Sequence, residues 1–75
     1  MIETKDVFVD ADKIGMKIKE LREGAGMYQK ELGELIGVKL KTVSHWECGE
    51  RRPNIDMVCR LALCFGVQTD DLLMG

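Results

Sequence analysis

Between Leu40 and His45 the chain sets two aliphatic side chains, a cation, two hydroxyls and an imidazole in the run LKTVSH. Wound at roughly 100° per residue, Leu40, Lys41, Ser44 and His45 crowd into one sector, and Val43 and Trp46 fall on the other side. The apolar pair would hold such a helix to a domain, with Trp46 in the core. The opposite sector is poor material for a core. Its donors, acceptors and one aliphatic group match what base-pair edges display in a major groove. Bond-making chemistry has less to draw on. His45 is the only histidine, and the chain offers no nucleophile–base pair, phosphate loop or metal spacing. No catalysis is expected.

Positioning that sector requires a scaffold, and Gln29–Gly49 (QKELGELIGVKLKTVSHWECG) supplies its nearest part. It reads as a helix over about Gln29–Ile36 with Leu32, Leu35 and Ile36 inward, a turn at Gly37, and a second helix over about Leu40–Cys48 closed by Gly49. Together they make a helix-turn-helix. Gly33 inside the first of these helices costs about 1 kcal/mol relative to alanine, which makes sense where another backbone comes close. The second helix is the candidate neighbour.

The flanks complete the frame. A helix starts near Asp10 or Asp12 and runs to about Glu23, with Ile14, Ile18, Leu21 and Ala25 as a buried stripe; Gly24 and Gly26 end it. Arg51 and Arg52 stand in a loop, Gly49–Asn54, where Pro53 breaks the chain. A further helix over about Ile55–Phe65 is capped by Asn54 and stopped by Gly66. Its apolar set is Ile55, Val58, Cys59, Leu61, Ala62 and Phe65. A short last helix, roughly Thr69–Met74, offers Leu72 and Leu73. Five helices with short links make a compact all-α domain over residues 12–75. Residues 1–11 form an N-terminal arm, flexible or a short strand, where Val7 and Val9 alternate with Phe8 and could pair with a second copy.

Composition narrows the function classes. The chain has 75 residues, 45% of them apolar and 32% charged, which suits one small globular domain. The net charge is −2, so affinity for nucleic acid must come from a local patch. Lys39, Lys41, Arg51 and Arg52 face only Glu47 and Glu50 between residues 39 and 52, whereas the arm is acidic. No apolar run approaches the roughly 20 residues of a membrane span, and the acidic N-terminus lacks the regions of a signal peptide. A cytoplasmic protein is expected. Cys48, Cys59 and Cys64 are an odd number without C-x-x-C spacing, which reads as reduced, buried or half-buried thiols and no metal site. No cofactor or small-molecule ligand is indicated.

Five motifs follow in register: I-G-x-x-I-x-x-L-R-E at Ile14–Glu23, Q-x-E-L-x-x-x-I-G-V at Gln29–Val38, T-V-S-x-W-E-x-G at Thr42–Gly49, R-x-P at Arg51–Pro53 and L-A-x-x-F-G-V at Leu61–Val67. Together they resemble the Cro-type, lambda-repressor-like (XRE) helix-turn-helix family over about Ile14–Leu73. The resemblance implies a sequence-specific transcriptional regulator, commonly a repressor, bound as a homodimer to a palindromic operator in double-stranded DNA. It places Leu40, Lys41 and His45 at base-reading positions with Thr42 and Ser44 beside them. Gln29 falls where the family anchors a phosphate and braces the reading helix. Lys39, Arg51 and Arg52 lie where backbone contacts are expected, and Arg22 and Glu47 match an internal ion pair. Two positions leave the pattern. Tyr28 precedes the glutamine where a hydroxyl cap is usual, and Lys39 opens the reading helix, where a cation opposes the helix dipole. A lost cap costs about 1 kcal/mol; both residues make sense as phosphate contacts. The competing reading is an antitoxin-like or other protein-interaction module whose helix-turn-helix has lost operator specificity.

Overall fold

The computed structural model describes residues 11–73. Five helices follow one another: α1 (Ala11–Gly24), α2 (Gln29–Ile36), α3 (Leu40–Glu47), α4 (Ile55–Phe65) and α5 (Thr69–Leu73). The expected alternation at Val7–Val9, the proposed cap Asp10 and the last-helix residue Met74 lie outside the described residues. Ala11, assigned to the arm from sequence, already belongs to α1, and Asp12 stands in its first turn.

Each boundary has a local cause. Asn54 caps α4, its side-chain oxygen accepting from the Met57 N–H at 2.9 Å, which satisfies an orphan donor of the first turn. Gly37 ends α2 in the left-handed region at φ 84° and sends its N–H to the Gly33 carbonyl at 2.8 Å. A side chain there would be strained, and glycine is not. Arg60 secures the same junction from outside, donating from Nη1 to the Ile36 carbonyl at 3.1 Å while Nη2 lies 3.3 Å from Asp56. A cation on the last carbonyls of a helix complements its dipole.

The core gathers Ile14 and Ile18 from α1, Leu32 and Ile36 from α2, Val43 and Trp46 from α3, Val58, Leu61 and Ala62 from α4, and Leu72 from α5. α3 packs between α1 and α2, while α4 bridges α2 and α5. Several expected core positions are not in it. Leu35 is 65% exposed and Ile55 68%, and Cys59 and Ala25 are also exposed. On α2 the buried arc is Leu32, Gly33 and Ile36, and Leu35 sits about 100° away from it. On α4 the buried arc centres on Val58, Leu61 and Ala62, leaving Ile55 and Cys59 at its margin. Ala25 lies past the end of α1. The three thiols, expected to be at least half-buried, are all free and exposed, because Cys59 and Cys64 fall outside the buried arc and Cys48 follows the last residue of α3.

Candidate nucleic-acid interface

The outer sector of α3 is assembled by close backbone packing behind it. Gly15 of α1 lies directly against the Trp46 carbonyl, leaving no space for a side-chain carbon. Gly33 does the same at the other end of the motif: a Cβ there would come 2.6 Å from the Val38 carbonyl oxygen. The neighbour is thus the turn entering α3 rather than the body of that helix. With both glycines in place, Val43 and Trp46 are 0% and 3% exposed. Leu40 and Lys41 stand exposed at the start of α3, and Thr42, Ser44 and His45 are half-buried along it.

A knot of hydrogen bonds fixes the far end. The Glu47 carboxylate accepts from Arg22 Nε at 2.7 Å and from Arg22 Nη2 at 3.0 Å, so the guanidinium binds it in a two-pronged fork. Arg22 Nη1 donates to the Met27 carbonyl at 2.8 Å. Gln29, the first residue of α2, donates from Nε2 to Glu47 Oε1 at 3.0 Å. The side chains of Arg22 and Glu47 are 10% and 4% exposed, which makes this a buried pair with its extra valences satisfied. The Glu47 hydrogen bond raises the Arg22 pKa, burial opposes that rise, and the charges of Glu47 and Glu23 add to it. One knot therefore joins α1, α2 and α3.

The basic loop is tied back to the same helix. The N–H groups of Glu50 and Arg51 both donate to the His45 carbonyl, at 3.0 and 3.4 Å. Arg51 and Arg52 are exposed, and Pro53 is buried beneath them. His45 Nε2 lies 3.8 Å from a Glu50 carboxylate oxygen, so the imidazole leans toward the loop.

Both departures from the usual capping pattern are visible. Lys39 precedes α3 in an extended conformation, and its side chain makes no capping bond. Tyr28 precedes α2 with 78% of its surface exposed; its own N–H is held by the Glu31 carboxylate at 2.8 Å, the reciprocal half of a capping box. The structure thus groups Lys39, Leu40, Lys41, Arg51 and Arg52 as exposed groups on α3 and its flanks, and sets Arg22, Glu47 and Trp46 behind them. Sequence reasoning missed Gly15 and Arg60. A glycine one turn into an amphipathic helix was the available signal for the first; only the three-dimensional meeting of α4 with the end of α2 shows the second. Among the described residues no group of His, Cys, Asp and Glu is placed to hold a metal ion, and no helix is long and apolar enough to cross a membrane.

Comparison with known proteins agrees with this geometry. The transcriptional activator BcrR of Enterococcus faecalis is 34% identical over 59 residues, covering 79% of this chain and 29% of its own length. The transcriptional regulator ImmR of Bacillus subtilis is 35% identical over 60 residues, 80% of this chain and 47% of its own. The chain thus spans less than half the length of either relative. Among solved structures, the P22 c2 repressor in complex with a synthetic operator superposes with a TM-score of 0.79 at 31% identity, covering 83% of this chain and 94% of that one. A model of the helix-turn-helix family matches residues 18–72. The match runs from Ile18 in α1 to Leu72 in α5, and the chain belongs to the lambda-repressor-like helix-turn-helix proteins.

Proposed function

We propose that the chain is a sequence-specific DNA-binding transcriptional regulator, acting as a repressor homodimer on a palindromic operator in the cytoplasm and performing no catalysis. The observation that carries this reading is the coupling of the exposed α3 face to a basic loop: Arg51 is hydrogen-bonded through its backbone to the carbonyl of His45. Cations for phosphates and side chains for base edges are thereby held in one rigid frame. The likeness to a repressor solved on its operator supports it.

In this reading Lys41 donates to guanine O6 and N7, and Leu40 packs on a thymine methyl. Thr42, Ser44 and His45 complete the base contacts. Lys39, Arg51 and Arg52 neutralise phosphates, and Tyr28 offers its exposed phenol to the backbone beside them. Gln29 gives one amide hydrogen to Glu47, which leaves the other for a phosphate oxygen. Two copies set a DNA turn apart read the two half-sites.

Titration against mixed genomic fragments at several salt concentrations tests this. Enrichment of a palindromic site, with affinity falling steeply as salt rises, is the expected result. No enrichment even at low salt would overturn it in favour of a protein-interaction module.

A further inference from the structure

We infer that the groove between α2 and α4 is a self-association surface that seats a second copy of this chain. The groove has a volume of about 650 Å³, with Glu34 and Leu35 on its α2 wall and Arg60, Leu63 and Cys64 on its α4 wall. Leu35 is 65% exposed and Leu63 83%. Scattered exposed leucines are ordinary, whereas two lining one groove form a patch that a partner can cover.

The charges say which partner. The α2 wall carries an acid, Glu34, and the α4 wall a base, Arg60. A twofold axis through the groove lays the α2 wall of one copy on the α4 wall of the other. Glu34 then faces the partner's Arg60, Leu35 faces the partner's Leu63, and each contact occurs twice. A nucleic acid or an anionic lipid surface would be met by charges of one sign; one of each sign on opposite walls is complementary to itself. Arg60 is already oriented for this, held by the Ile36 carbonyl and Asp56 with its side chain still 51% exposed.

This surface differs from the Val7–Val9 arm, the sequence-based candidate for pairing with a second copy, and it does not depend on DNA recognition. Four leucines and two ion pairs cover less area than the roughly 1,200 Å² of a stable complex. The association is therefore weak and concentration-dependent.

Sedimentation of the full chain without DNA, from micromolar to about millimolar concentration, tests the inference independently of the operator reading. The average mass should rise with concentration. Leu63→Glu and Leu35→Lys should each weaken that association by about tenfold or more, because a charge replaces the apolar contact. Glu34→Lys should weaken it too, by setting like charges together. All three positions are exposed, so thermal unfolding of the variants should match the parent. A parent mass that does not change with concentration, or variants that associate as the parent does, would overturn it.

Discussion

Lys41 and Arg51 are both exposed cations, and the proposed reading gives them different work. Lys41 rises from the first turn of α3 and Arg51 from a loop bonded to the end of that helix. Lys41→Ala should relax base preference at one operator position, with a loss of about 1–3 kcal/mol there. Arg51→Ala should weaken all sequences about equally, and binding to a panel of single-base operator variants separates the two outcomes. Glu47 acts on folding. Removing its carboxylate strands Arg22 in a site that leaves it 9% exposed, so Glu47→Ala should destabilise the domain by about 3–5 kcal/mol in urea unfolding. The double variant Arg22→Met/Glu47→Leu should lose less than Glu47→Ala, because no uncompensated charge remains. The Arg22 pKa is raised, so the stability contributed by its protonation is complete below the ordinary arginine value and is lost as pH rises through the still higher folded value. At this scale the two-faced character of α3 was legible from spacing alone. The brace from Gln29 to α3 was expected from the family resemblance, but its partner Glu47 and the lean of His45 toward Glu50 were not, since each joins residues that only the folded backbone brings together.

Helix ends were easier to read than helix faces. The bounds of α2 and α4 follow from Gly37, Asn54 and Gly66, each of which stops or starts a helix by local chemistry. Faces depend on how many neighbours a helix has. An eight-residue α2 wedged against α3 and α4 buries a narrow arc, so Leu35 is left outside although its spacing fits an apolar stripe. The close approach at Gly33 was legible as a helix-interior glycine; its partner was not, because the turn preceding α3 supplies the carbonyl. Substituting alanine makes the distinction measurable. At Gly33 a gain in helix propensity of about 1 kcal/mol is opposed by a Cβ placed 2.6 Å from Val38 oxygen, and overpacking of that kind costs about 1–3 kcal/mol. Gly33→Ala should therefore lower the unfolding midpoint. At Gly24 nothing lies within 4 Å of the same atom, and Gly24→Ala should be neutral or mildly stabilising.

For the molecule as a whole, a net charge of −2 conceals a basic end. Lys39, Arg51 and Arg52 are exposed together on the α3 side, whereas Asp70 and Asp71 open α5. If each copy of a dimer neutralises three phosphates, the logarithm of affinity should fall with the logarithm of salt concentration at a slope of about −5. A slope near zero in a salt titration would contradict that arrangement. The polarity was visible in residue order; the exposure that makes it effective required the loop to fold back on α3.

The knot of Arg22, Gln29 and Glu47 separates inheritance of stability from inheritance of target. None of its side chains is Leu40, Lys41, Ser44 or His45, and none of those four belongs to the buried core. Such a chassis can be re-addressed one letter at a time without passing through an unfolded ancestor. A library randomised at those four positions should accordingly yield mostly folded members that differ in the operators they select.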